Sequence, residues 1–100
     1  MTSRPEELIA YFGMKPLPVE ETYFINTYIS DAKTAEGGPV GTAGLGLYLT
    51  APRSASTAHV LTFDEVWHFY EGDPVALYEF HPDGTARTIL LGRDIAAGQV

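Results

Sequence analysis

The sequence predicts an all-β barrel or sandwich entered by one short helix. Three observations carry this. Segments 21–30, 43–51, 57–62, 65–71, 75–81 and 85–91 are rich in Tyr, Phe, Val, Leu and Thr and are separated by turn residues. Their close, regular spacing is that of all-β architectures, whose strands recur every 8–12 residues or so. Helical periodicity, by contrast, appears only near the start of the chain.

That start reads Ser3-Arg4-Pro5-Glu6, the pattern of a capping box. The serine hydroxyl accepts one free helix amide, and the glutamate reaches back to another. A helix over about 4–12 follows, with Leu8, Ile9 and Phe12 on one face and Gly13 as its stop; it is expected to pack as a lid on the barrel. Residues 31–42 hold three glycines and a proline and read as a mobile loop. His81-Pro82-Asp83-Gly84 is a tight-turn signal, because Pro82 fixes φ and Gly84 accepts a positive φ. No repeat, linker or low-complexity tract interrupts the chain, so residues 1–100 are expected to form a single domain.

Composition narrows the partners. Hydrophobic residues make up 45% and charged residues 19%, the balance of a globular chain. Net charge is −7 with six scattered basic residues. Nucleic-acid affinity comes mostly from Lys and Arg at phosphates, so nucleic acid and anionic membranes are disfavoured as partners. Without cysteine there is no disulfide framework, and a cytoplasmic location is expected. No apolar run reaches the ~20 residues that cross a bilayer.

The most informative stretch is His59 to Gly72, H-V-L-T-F-D-E-V-W-H-F-Y-E-G, followed by Asp73-Pro74. His59 and Glu65 are six apart, and Gly72 closes an aromatic-rich run. This resembles the first motif of the cupin superfamily. The D-E-V-W-H-F-Y-x-G-D-P wording is similar to the hallmark of the cupin-5 (DUF985-like) group. P-E-E-L-I-A-Y-F-G-M-K-P-L-P resembles that group's opening helix, E-T-Y-F-I-N-T-Y-I-S its first strand, and D-I-A-A-G-Q its L-A-A-G-Q segment. The resemblance implies a cupin-type double-stranded β-helix, a jelly-roll barrel with a short N-terminal helix. Such a barrel needs eight strands. The remainder is expected from further chain or from association, and a homodimer is expected.

Side chains alternate along a strand, so Glu65, Trp67 and Phe69 are expected on one face and Val66, His68 and Tyr70 on the other. The resemblance turns Glu65 toward the barrel interior with His59 as its partner. A carboxylate beside an imidazole serves either as an acid–base pair or as a structural hydrogen bond. Tyr28 and Tyr70 are candidate proton donors; Tyr23, Asn26, Tyr48 and Trp67 are candidate ligand contacts in an aromatic interior. His68 reads as structural and His81 as exposed.

No metal or other cofactor is expected. Metal-binding cupins take two His and one Glu from this motif, but the second His position is Leu61, which cannot ligate. Other departures from the family pattern are Asn26 for Glu, Ile29 for Arg, Ala58-His59-Val60-Leu61 for F-H-R-L, and Phe63 for Ser. These losses of charge imply a less charged ligand. The functions compatible with the sequence are a metal-independent isomerase, epimerase or lyase using His59 and Glu65 on a small carbonyl-bearing molecule, a non-catalytic small-molecule-binding module, and a metal-dependent oxygenase or isomerase.

Overall fold

A computed structural model describes residues 2–18, 20–50, 54–56, 58–61 and 63–100. The chain divides into two compact units, residues 1–59 and 60–100.

The first unit opens with helix α1, Arg4–Phe12. The capping box is formed: Glu6 N donates to Ser3 Oγ (3.3 Å), and Ser3 N donates to a Glu6 carboxylate oxygen (3.0 Å). Gly13 ends the helix at φ 68°, where a side chain would be strained, and its amide returns to the Ile9 carbonyl. Leu8 and Ile9 are half-buried, but no residue of α1 is fully buried.

Next come β1 (Lys15–Pro16), β2 (Thr22–Ile29) and β3 (Thr42–Tyr48), an antiparallel sheet in the order β1-β2-β3. Met14 and Thr22 are buried where the chain enters it. The β2–β3 register pairs Tyr23 with Leu47, Ile25 with Leu45 and Asn26 with Gly44, then shifts by one, pairing Tyr28 with Ala43 and Ile29 with Thr42. Thr27 is the extra residue, a β-bulge. Phe24 lies over Gly44, where an added Cβ would collide with its ring. The glycine therefore gives the aromatic ring its seat on the sheet.

Residues 31–41 form a bonded hairpin extension, where the sequence suggested only a mobile loop. Thr34 N donates to Gly38 O (2.7 Å), Val40 N to Ala32 O (2.9 Å), and Lys33 pairs with Pro39. Gly37, at φ 90°, makes the reversal possible without strain.

The second unit contains β4 (Val75–Phe80) and β5 (Ala86–Leu91), paired antiparallel from Val75–Leu91 to Phe80–Ala86. Their turn is the one expected from His81-Pro82-Asp83-Gly84: His81 N donates to Thr85 O (2.8 Å), and Gly84 has φ 90°. Val75, Leu77 and Ile89 are half-buried and Leu91 is buried on one face, while Tyr78, Phe80 and Leu90 are exposed on the other. Glu79 and Arg87 face each other across the strands (2.9 Å), with His81 3.7 Å from the same carboxylate oxygen. A 3-10 turn at Ile95–Ala97, capped by Asp94, brings the chain back. Val100 N donates to Leu90 O and Gly92 N donates to Val100 O, which sets Val100 beside Leu91 in the manner of a parallel pair.

Four of the six expected strands are present. The exceptions are 57–62 and 65–71. Thr57 and Thr62 lie outside the described residues, and no strand ladder includes 58–61 or 65–71 among those described. Strand propensity reflects packing on neighbouring strands, so an apolar alternating run without a partner is not held as a strand. Val60 and Val66 are accordingly exposed.

The β4–β5 turn generates a pH prediction. Asp83 accepts hydrogen bonds from Thr85 Oγ1 (2.6 Å) and Thr85 N (2.9 Å). These bonds hold its carboxyl below the ordinary value of 3.8, the side-chain bond contributing most. A lowered folded pKa means that the contribution is present above about pH 4 and is lost as pH falls through the folded value. The Thr85 amide shift should titrate with a midpoint below 3.8 and stop titrating in Asp83→Ala. A midpoint at or above 3.8 would show that the turn does not depend on the carboxylate.

Candidate functional site

The bulge at Thr27 decides which side chains share a surface. In an unbroken strand Tyr23 and Tyr28, five apart, would point to opposite faces. The one-residue shift places Tyr28 opposite Ala43, on the same face as Tyr23–Leu47 and Ile25–Leu45. Burial follows this assignment: Tyr23, Ile25, Leu45 and Leu47 are half-buried, and Tyr28 stands 60% exposed at the open end. Pro16, opposite Tyr23, extends the face, and no charged residue is among its paired positions. Two phenol rings on an aliphatic floor offer apolar contact with a few hydroxyl donors.

The other candidates from this sheet lie on its opposite face. Asn26 pairs with Gly44 and Tyr48 with Thr22, so neither shares a surface with Tyr23 and Tyr28. Ile29 lies on that second face as well, since the bulge turns it along with Tyr28. Thus Asn26 and Ile29, where the family pattern carries charge, belong to the Phe24 side. The Tyr48 hydroxyl is 2.7 Å from Ser56 Oγ, and Ser54 Oγ accepts the Leu49 amide at 2.7 Å. These bonds fix the end of β3.

In the second unit Glu65 is exposed, and its Oε1 accepts a hydrogen bond from Trp67 Nε1 at 2.6 Å. This is the i,i+2 contact of an extended segment, whose alternate side chains point the same way. Trp67 and Phe69 are half-buried while Val66, His68 and Tyr70 are exposed, so the expected alternation persists without a ladder. Resemblance assigned Glu65 to an interior; the structure instead gives its carboxylate an indole donor at the surface. Arg93 Nη2 donates to the Tyr70 carbonyl at 3.1 Å and ties the end of this segment to the chain beyond β5. That tether has no signature in local sequence, because its partners are 23 residues apart.

His59 is exposed and falls at the end of the first unit; Glu65 lies in the second. Among the described residues no three His, Asp or Glu side chains converge to hold a metal ion. No helix of the described residues is long and apolar enough to cross a membrane.

The first-motif spacing, the opening helix and the β-rich architecture define a small cupin-like domain. The chain belongs to the family described as Cupin superfamily (DUF985), which it matches over residues 6–100. Neither a curated protein nor a solved structure matches it.

The indole–carboxylate contact predicts graded losses of stability. Trp67→Phe keeps the ring but not the N–H, and should cost about 1 kcal/mol. Trp67→Ala should cost about 2 kcal/mol, below the fully buried range because the ring is half-buried. Urea unfolding followed by circular dichroism measures both. No loss in Trp67→Phe would show that only packing matters at this position, and equal losses that only the N–H bond does.

Proposed function

We propose that this cupin binds a small, uncharged, ring- or carbonyl-bearing molecule on the Tyr23–Ile25–Tyr28 face of the first sheet. The observation that supports this best is the Thr27 bulge, which sets two tyrosines on one uncharged aliphatic surface. Bulges often re-aim a side chain beside a site. Family membership supports small-molecule binding and, as its finer form, a single double-stranded β-helix domain. The fit to a neutral ligand is chemical: an ionised group would lose hydration on this face without meeting a counter-charge.

The test uses N-phenyl-1-naphthylamine, a neutral dye whose emission rises in apolar sites. The protein should bind it saturably. Tyr28→Ala should weaken binding about tenfold, the equivalent of ~1.4 kcal/mol. Inserting one alanine between Ala43 and Gly44, opposite Thr27, should weaken it similarly, although every tyrosine is kept, because the unbulged register then turns Tyr28 to the Asn26 face. Saturable binding that neither change affects would contradict this location, and no saturable binding would contradict the function.

A catalytic form of the same reading makes the protein a metal-independent isomerase, epimerase or lyase. His59 acts as base, Glu65 orients it, and Tyr28 or Tyr70 donates the proton. Its support is the His59–Glu65 spacing together with the bond by which Trp67 orients the Glu65 carboxylate. One acid–base group is worth about 10²–10⁴-fold in rate. Residues acting as a unit lose rate non-additively, so His59→Ala with Glu65→Gln should be scarcely slower than His59→Ala alone. Fully additive losses, or an active His59→Ala protein, would leave binding without catalysis.

A further inference from the structure

We propose that Asp83–Gly84 is a site of spontaneous isoaspartate formation, and that Thr85 holds it closed in the folded protein. The chemistry needs only the chain and water. The Gly84 amide nitrogen attacks the side-chain carboxyl carbon of Asp83 and closes a five-membered succinimide. The amide proton and the carboxyl hydroxyl leave together as one water. A second water reopens the ring. Attack at the side-chain carbonyl restores aspartate, and attack at the main-chain carbonyl leaves an isoaspartyl link that runs through the side chain. Sequence selects this position among the acids. Glycine has no Cβ to hinder the approach of its nitrogen. Asp31, Asp64 and Asp94 precede Ala32, Glu65 and Ile95, and Asp73 precedes Pro74, whose nitrogen carries no proton to lose. The single asparagine, Asn26, precedes the branched Thr27.

The β4–β5 turn opposes the reaction at both reacting groups. Gly84 N already donates to His81 O at 3.0 Å. Asp83 Oδ1 accepts from Thr85 N (2.9 Å) and Thr85 Oγ1 (2.6 Å), which ties the carboxylate to residue 85. The same bonds favour the ionised form, whereas ring closure expels water from the neutral acid. His81 N donates to Thr85 O at 2.8 Å and closes the hairpin around the pair. The reaction therefore starts from the opened turn, a local unfolding that leaves the rest of the fold in place. Its product lengthens the main chain by one carbon between Asp83 and Gly84. The turn then no longer fits the Phe80–Ala86 end of the ladder.

The test incubates the full chain for weeks at neutral pH, digests samples over time, and reads the isoaspartate fraction at residue 83 by liquid chromatography and mass spectrometry. The wild-type protein should accumulate it slowly, and the chain held unfolded in guanidinium chloride fastest of all. Thr85→Val keeps the amide and the shape at an exposed position but loses the hydroxyl bond, and should react about fivefold faster than wild type. Thr85→Ser keeps the hydroxyl and should stay at the wild-type rate. Should circular dichroism show that Thr85→Val disturbs the fold, Thr85→Ala decides on the same criterion. An unfolded chain that forms no isoaspartate at Asp83 would remove the site. A wild-type rate equal to the unfolded one, a folded variant without the hydroxyl that reacts no faster, or a Thr85→Ser rate matching Thr85→Val would remove the role of Thr85.

Discussion

One extra residue in β2 governs what the first sheet can do. Side chains in a strand alternate, so a shift of one reverses every position beyond it. Thr27 makes that shift between Asn26 and Tyr28. Without it, Tyr28 would join Asn26 beside Phe24, and each face would carry one fewer of its present kind. With it, one face holds Tyr23, Ile25 and Tyr28 beside Leu45 and Leu47, and the other holds Phe24 and Asn26 beside Gly46 and Gly44, with Ile29 beside Thr42. The bulge falls in β2 and leaves β3 without an extra residue of its own.

The second unit is organised by loop closure. Gln99 packs against Gly92, where an added Cβ would collide with it, and its Oε1 accepts the Asp94 amide at 3.0 Å. Asp94 caps the turn that returns Val100 to Leu91. This explains physically why the short D-I-A-A-G-Q run acts as a unit with the residues before it. Its glutamine, its aspartate and the glycine before it answer one another's hydrogen bonds and space. Tyr78, Phe80 and Leu90 are exposed on one face of β4–β5, an apolar surface of the sort that usually meets a partner or ligand.

Local chemistry was the legible part of the sequence. Ser3 and Glu6, Gly13, and the Pro82-Asp83-Gly84 turn each act within a few residues, and each formed as read. The strands around Tyr23, Leu45, Leu77 and Ile89 were legible because their apolar alternation has a neighbour to pack on. Segment 65–71 has the same alternation and no ladder among the described residues, since pairing is a property of two segments. The bulge was not legible, as nothing in Asn26-Thr27-Tyr28 marks an extra residue until the partner strand is counted. Tyr23 and Tyr28 were singled out as aromatic candidates, yet their shared face, and the separation of Asn26 and Tyr48 from it, required the register.

The most direct measurement of the central claim is the set of proton–proton contacts made by the Tyr28 ring in solution. Directly opposite residues in an antiparallel pair hold their Cβ atoms about 4.5–5.5 Å apart, well within reach of a nuclear Overhauser effect. The bulged register predicts contacts from Tyr28 to the Ala43 methyl and the Leu45 side chain. Contacts from Tyr28 to the Thr42 methyl, with none to Ala43, would mean an unbroken strand and would contradict the account.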